Sequence, residues 1–166
     1  KQMLDLMASY KLNVFHWHLT DDNGWRLPIP AFPKLTSIGA WRVARQGEFG
    51  TADPPMAGET PAYGGYYSPS AIREILAFAR DRYIEVIPEI DIPGHSMAAI
   101  ASYPWLCCTR DTAIRVNPGS PFARWFSDGS FRMYADNALN PSSEDVYRFV
   151  DSVLSEVAAI FPSKYI

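Results

Sequence analysis

Two short stretches of the sequence concentrate side chains that can gain, lose or hold a proton. The candidate site residues in them are Asp21, Asp22, Trp25, Arg26, Glu89, Asp91 and His95. Carboxylates beside an imidazole orient and charge one another, which is the arrangement that general acid–base catalysis needs. The aspartate pair precedes Gly24, however, so turn formation is an alternative interpretation of it. His95 taken by itself is typical of an ordinary loop histidine.

A second pattern involves His16 and His18, which lie two residues apart in an apolar and aromatic segment. On a strand both side chains face one side, and a His-x-His pair on a strand can hold a divalent metal. A metal site needs three or four ligands, whereas the sequence offers two here. We therefore prefer two histidines that are hydrogen-bonded beneath an active site, and we predict no metal and no cofactor. A metal-dependent hydrolase stays as the alternative hypothesis.

The tryptophans near these patterns have different expected positions. Trp17 points away from the two histidines and is predicted to lie in the core. Trp25 follows the turn, where we predict a platform for the apolar face of a sugar ring at a pocket rim. A buried plug under the following loop is the alternative for Trp25, because large aromatic side chains bury readily.

The elements that must position these residues follow from hydrophobic periodicity. The sequence predicts a helix over 2–10, a strand over 12–19, a helix that begins at Ser68-Pro69 and a strand over 83–91. It then predicts a helix that begins at Asn140-Pro141 and ends before Pro162, and the start of a third strand at 164–166. Helices between strands indicate parallel strands joined by crossovers. The fold class is therefore α/β, and its active site should lie at the carboxyl ends of the strands.

A long segment, 28–67, separates the first strand from the next helix and is rich in proline and glycine. Such long loops are usually functional or disordered. Its aromatic side chains favour an ordered loop: Trp41, Phe49, Tyr63, Tyr66 and Tyr67.

Composition excludes several classes of protein. The 166 residues are 48% hydrophobic and carry a formal net charge of −3, which argues against a nucleic-acid partner. No apolar run is long enough to span a bilayer. The chain begins at Lys1 within a helix pattern, so we expect a natural N-terminus further upstream. Cys107 and Cys108 are adjacent and form no metal-binding spacing, so ordinary thiols are the simplest interpretation.

The two site motifs together resemble one known family. The segments that carry the resemblance are 13–26, which reads NVFHWHLTDDNGWR, and 88–96, which reads PEIDIPGHS. The chain is similar to the catalytic domain of family 20 glycoside hydrolases, the β-N-acetylhexosaminidases, and AFPKL at 31–35, GYYSP at 65–69 and IFP at 160–162 extend the similarity to its whole length. The resemblance implies a partial (β/α)₈ barrel, from helix 1 to the start of strand 4, with 28–67 as a long βα loop.

The resemblance also implies an activity. Members of this family remove terminal β-linked N-acetylglucosamine or N-acetylgalactosamine with retention, using the 2-acetamido group of the substrate as nucleophile. The aspartate that orients the acetamido group and the glutamate that acts as acid follow strand 4 in the family. We therefore expect this pair beyond Ile166 and expect no hydrolysis by these 166 residues alone.

Individual roles follow from the same resemblance. It implies that the pair Asp21 and Asp22, together with His95, supports the acid, without deciding which aspartate does so. It places Glu89 and Asp91 beneath the substrate pocket. Trp25 and Arg26 would then form part of the pocket wall. A sugar-binding module without catalysis is a further alternative.

The partners and location follow from the same resemblance. Expected partners are N-acetylhexosamine-terminated glycans and the rest of the barrel, with a homodimer as a candidate assembly. A periplasmic, secreted or lysosomal location is favoured, although the sequence itself does not decide the compartment.

Overall fold

Two parallel strands form the centre of the fold. The computed structural model describes residues 1–48, 50–121, 123–133 and 137–166. Strand β1 (Val14–Asp21) lies parallel to β5 (Glu85–Ile90), with His16 opposite Ile87 and His18 opposite Glu89. The short strand β2 (Gly24–Trp25) turns back antiparallel to the end of β1. The predicted parallel α/β arrangement is confirmed for these strands.

Helices surround this small sheet. They are α1 (Gln2–Ser9), α2 (Lys34–Ser37), α3 (Pro69–Arg80), α4 (Met97–Ser102), a 3₁₀ turn (Pro104–Leu106) and α5 (Glu144–Ile160). Helix α3 starts as predicted, because the Ser68 hydroxyl accepts the Ala71 backbone N–H at 3.1 Å and Pro69 occupies the first helical position. None of the helices in the described residues is long and apolar enough to cross a membrane.

The start of α5 differs from the prediction. Asn140 does not cap this helix, since its side-chain oxygen accepts the Ser142 N–H at 3.0 Å within a turn. The N-cap position is Ser143, three residues after Asn140, and the helix begins at Glu144. The apolar stripe is confirmed: Val146, Phe149, Val153 and Val157 are buried. The helix therefore begins later than predicted because the asparagine side chain bonds within a turn. The face of the helix that packs into the core is the predicted one.

The predicted third strand at 164–166 is wrong. The structure contains no strand at these residues. The hydrogen bonds described next to them involve the hydroxyl group of Ser163. The Ser163 hydroxyl donates to Glu85 at 3.0 Å and accepts the Tyr165 N–H at 3.1 Å. A strand requires backbone ladder bonds to a neighbour, and these side-chain bonds do not supply them.

The long segment 28–67 is an ordered loop that contains short elements of secondary structure. Strands β3 (Trp41–Arg42) and β4 (Tyr63–Gly64) pair antiparallel and close the loop upon itself. Trp41 is half-buried, whereas Tyr63, Tyr66 and Tyr67 are exposed, so the expected aromatic packing is confirmed only in part. Phe49 lies outside the described residues. A second hairpin, β6 (Ala123–Trp125) with β7 (Phe131–Met133), lies before α5.

The core lies on one face of β1. Trp17 and Leu19 point into it, and Trp17 packs edge-on against Phe161 at a centroid distance of 6.2 Å. The predicted core position of Trp17 is confirmed. Because side chains alternate along a strand, His16 and His18 point to the opposite face. Within the described residues Cys107 and Cys108 form no disulfide; Cys107 is buried and Cys108 is exposed.

Candidate active site

An alternating row of imidazoles and carboxylates crosses the carboxyl ends of β1 and β5. We call this row the relay; its members, in order, are His16, Glu89, His18, Asp21, His95 and Asp22. Five of the seven sequence-predicted site residues lie in or beside it. The structure thus brings together side chains that are up to 79 positions apart in the chain.

Glu89 joins the two histidines of β1. One carboxylate oxygen, Oε2, lies 2.9 Å from His16 Nε2, and the other, Oε1, forms a 2.7 Å hydrogen bond with His18 Nδ1. Strand register produces this contact, because His18 and Glu89 are paired residues of adjacent strands. The preferred interpretation of the histidines as hydrogen-bonded residues agrees with this geometry.

The aspartates connect the strands to His95. His18 Nε2 forms a 3.1 Å hydrogen bond with Oδ2 of Asp21, and Oδ1 of Asp21 accepts the Asp22 backbone N–H at 2.6 Å. His95 Nδ1 lies 3.4 Å from Asp21 and 3.2 Å from Asp22. Both aspartates therefore face the same imidazole nitrogen, and neither is only a turn residue.

Asp22 is the anchor of this cluster, with 2% of its side chain exposed. Its Oδ1 accepts the Met97 backbone N–H at 3.1 Å, and its Oδ2 accepts the side-chain amide of Asn137 at 3.0 Å. These two donors, together with the His95 imidazole at 3.2 Å, compensate the cost of burying this carboxylate. Sequence reasoning missed Asn137, because no local pattern marks a residue that contacts its partner across 115 positions.

The loop that carries His95 is clamped on both sides. Its Ser96 N–H donates to the Asn137 carbonyl at 2.8 Å, and the Leu139 N–H donates to the Pro93 carbonyl at 2.8 Å. His95 itself adopts a φ of +47°, a left-handed conformation that costs a non-glycine residue about 1–2 kcal/mol. The surrounding bonds hold this conformation and direct the ring toward the aspartates.

The charge of His18 depends on its two carboxylate neighbours. Burial by itself lowers the pKa of His18. Hydrogen bonds to Glu89 and Asp21, together with the attraction of their charges, outweigh that effect and leave the pKa raised above its ordinary value. The relay therefore favours a protonated imidazole at its centre.

The predicted position of Trp25 at the pocket rim is not the observed one. Trp25 is 2% exposed, and its indole N–H donates to the Leu27 carbonyl at 2.6 Å. The ring packs near Phe149 at a centroid distance of 6.4 Å, so the buried-plug alternative is the observed one. A large apolar ring gains more from burial in this core than from an exposed rim position.

The Arg26 guanidinium stabilises the turn after β1 and the long loop through hydrogen bonds. It donates to the backbone carbonyls of Asn23, Ala40 and Gly65 at 2.8–3.0 Å, and it thereby ties the turn after β1 to the residues that flank β3 and β4 in the long loop. Burial, followed by the neighbouring Arg42 charge, lowers its pKa. Gly24 leaves room for this guanidinium, because a Cβ at this position would overlap it and displace it from the carbonyls. These bonds give Arg26 a structural role, and its predicted place in the pocket wall stays a prediction.

Trp25→Phe tests the buried position. The substitution removes the indole donor and leaves the Leu27 carbonyl unpaired in the core, so we expect a loss of about 1–3 kcal/mol in unfolding free energy. The KM for a glycoside substrate should stay unchanged. Chemical denaturation and steady-state kinetics would measure both. Trp125→Phe is the matched control, because Trp125 is 74% exposed and should tolerate the change. A rise in KM with Trp25→Phe at unchanged stability would contradict the core assignment.

Metal binding was the alternative use of His16 and His18. Ligand atoms of His18, Asp21 and Asp91 lie within 4.8 Å of one another, as do those of Asp21, Asp22 and His95. Neither group contains His16, which contacts Glu89 instead. Both ring nitrogens of His18 already hydrogen-bond to carboxylates, so a cation would have to displace those bonds. The arrangement thus suits proton-mediated contacts better than a metal.

The fold is parallel α/β, and imidazoles and carboxylates lie together at the carboxyl ends of its strands. Proteins of this class bind their ligands at that edge of the sheet. Comparison with known proteins identifies the family. The model of the glycosyl hydrolase family 20 catalytic domain matches residues 1–166, and the chain belongs to this family.

Characterised relatives agree. The chain is 46% identical over 167 residues to a beta-hexosaminidase of Vibrio furnissii, which covers 100% of the chain and 24% of the relative. It is 38% identical over 178 residues to the N,N'-diacetylchitobiase of Vibrio harveyi, covering 95% of the chain and 19% of the relative. The chain thus spans about a quarter or less of the length of these two relatives.

Solved structures of the family superimpose on the fold. A GH20 exo-β-N-acetylglucosaminidase of Vibrio harveyi in complex with N-acetylglucosamine gives a TM-score of 0.72 at 44% identity, covering 98% of the chain and 23% of the solved one. The N-acetyl-β-hexosaminidase of Streptomyces plicatus in complex with Thio-NAglucal gives a TM-score of 0.75 at 34% identity. The match covers 99% of the chain and 27% of the solved one.

Proposed function

We propose that the whole protein containing this chain is an exo-acting β-N-acetylhexosaminidase, which removes terminal N-acetylglucosamine or N-acetylgalactosamine from glycans. Family membership and the names of the relatives support a glycosidase of this type. The observation that carries the proposal is His95 with its Nδ1 within 3.4 Å of two carboxylates at the strand ends. Such a group can adjust the proton affinity of a neighbouring acid.

We further propose that residues 1–166 form part of one (β/α)₈ barrel, with 28–67 as a βα loop. The described residues contain two long parallel strands, whereas a barrel contains eight. Apolar side chains of α1 and of the residue that follows it are exposed, namely Met3, Leu6 and Tyr10. Further chain packed against α1 and β5 would bury such surface. The greater length of the relatives supports the same conclusion.

In the proposed reaction the substrate supplies its own nucleophile. The 2-acetamido oxygen attacks the anomeric carbon while the glycosidic C–O bond breaks, and an acid protonates the leaving oxygen. Water then opens the oxazolinium ion, so that the product retains its configuration. The resemblance assigns the acid and the acetamido-orienting carboxylate to residues beyond this chain.

This chain contributes to the protonation state of that acid. With His95 Nδ1 as donor to the aspartates, Nε2 is the acceptor nitrogen of the neutral ring. Carboxylate charge behind the imidazole raises the proton affinity of an acid next to it, and a general acid needs this near neutral pH. Glu89 contacts the two histidines below this point, and we assign it a supporting role beneath the pocket. Asp91 follows β5 on the same side and is half-buried.

The test uses the whole protein and two aryl substrates. We expect hydrolysis of 4-nitrophenyl N-acetyl-β-D-glucosaminide with initial release of the β-anomer, observed by proton NMR, and little hydrolysis of the matching β-D-glucoside, which lacks the nucleophile. The 166-residue chain alone should be inactive. Equal rates on both substrates would contradict substrate assistance, and a loss of activity with a chelator would favour the metal-dependent alternative. Binding without hydrolysis would favour the sugar-binding module.

A further inference from the structure

His18 makes two hydrogen bonds that place a condition on its protonation. Its Nδ1 lies 2.7 Å from Oε1 of Glu89, and its Nε2 lies 3.1 Å from Oδ2 of Asp21. An ionised carboxylate can only accept, so each ring nitrogen must donate. A neutral imidazole carries one N–H. The two bonds therefore require either an imidazolium or a proton on one of the carboxylates.

The imidazolium is the better solution of the two. In water an imidazole holds its proton about two pH units more tightly than a carboxylic acid does. Each carboxylate also faces a second donor group: Asp21 accepts the Asp22 backbone N–H at 2.6 Å, and Glu89 Oε2 lies 2.9 Å from His16. Ionised carboxylates make such bonds best. The proton therefore resides on the ring of His18.

We infer that His18 is a doubly protonated imidazolium that ties Glu89 of β5 to Asp21 of β1 and so positions the carboxylate that faces His95. His18 is in this sense a positioning residue, because it acts through Asp21. Its importance for catalysis rests on the proposed function, whereas its protonation state does not.

The electrostatic surroundings agree with this geometry. The groups that face His18 are Glu89 from β5, Asp21 from the end of β1 and Asp91, whose carboxylate lies within the same 4.8 Å group. His16 and His95 contact the outer sides of Glu89 and Asp21. Three nearby carboxylates favour a cation, in agreement with the raised pKa of His18.

A cation at this point has a structural consequence. With a neutral ring, one of the two carboxylates, Glu89 or Asp21, would face a ring nitrogen that has no proton to donate. The imidazolium balances one charge and fixes both carboxylates through directional bonds. Asp21 is then held with its other oxygen, Oδ1, toward His95 at 3.4 Å.

Nitrogen NMR of the whole protein tests the inference. We expect selectively ¹⁵N-histidine-labelled protein to show one imidazole with both nitrogens protonated at pH 7.5, assigned to His18 by its loss in His18→Asn. In Glu89→Gln the amide can donate to Nδ1, so His18 needs only one N–H. Its pKa should fall, because the hydrogen bond and the charge of Glu89 no longer raise it, and the imidazolium signal should be lost at pH 7.5.

Glu85→Gln is the matched control, because it makes the same chemical change four residues earlier on β5, where Glu85 contacts Ser163. The imidazolium signal should persist in this variant. A singly protonated His18 in the folded wild-type protein would overturn the inference, as would an unchanged signal in Glu89→Gln. Absence of hydrolysis with an intact imidazolium signal would refute the proposed function and leave the inference standing.

Discussion

Asp21→Asn should leave the whole protein folded and lower kcat by about 10²–10⁴, the range typical of acid–base machinery. Asparagine keeps an oxygen for the Asp22 backbone N–H, and its amide can face His18 Nε2 once that ring is neutral. The negative charge beside His95 is lost, however. The proton affinity of the acid should fall, and the alkaline limb of the kcat profile should move to lower pH. Hydrolysis of the aryl substrate across pH would measure both effects.

Asp22→Asn is the contrasting variant. Its carboxylate accepts donors at both oxygens, from Met97 and from Asn137. Whichever way an asparagine amide is turned, one buried donor faces another donor. We expect a loss of about 1–3 kcal/mol in unfolding free energy, measured by denaturation, in addition to reduced activity. If both variants retain normal stability and an unmoved pH profile, the pair does not act on the acid, and the catalytic proposal for it is wrong.

His95→Gly should reduce kcat of the whole protein by about 10²–10⁴ with little change in KM, because the histidine is proposed to act through the acid and not to hold the sugar. Glycine adopts the φ of +47° without strain, so the loop conformation should be retained. The side chain of His95 is 47% exposed, which leaves the vacated space accessible. Added imidazole should therefore restore part of the rate.

Two outcomes would contradict this role. A loss confined to KM would make His95 a binding residue, and a loss of kcat that imidazole does not restore in a folded variant would point to a loop defect. Steady-state kinetics with and without imidazole, together with a thermal melt, separate these cases. Lys11→Gly is a control for the backbone, because Lys11 adopts a similar φ of +58° outside the relay. Its kcat should stay near the wild-type value.

Local chemistry in the sequence determined most of the elements. The cap and proline at Ser68 and Pro69, and the apolar stripe of α5, depend on neighbours within a few positions. The alternation that separates Trp17 from His16 and His18 is equally local, because it follows from the period of a strand. These features could be predicted, as could the parallel strands at whose carboxyl ends the candidate residues lie. The family resemblance identified the motifs themselves.

Tertiary structure decided how those residues are used. Glu89 meets His18 across 71 positions and Asn137 meets Asp22 across 115, and such pairings depend on strand register and loop packing. The same packing buries Trp25, which the sequence placed at a rim, and it turns Arg26 toward backbone carbonyls. A sequence pattern specifies which face a side chain occupies. Only the assembled fold specifies what lies opposite that face, because burial and hydrogen bonding are set by neighbours distant in the chain.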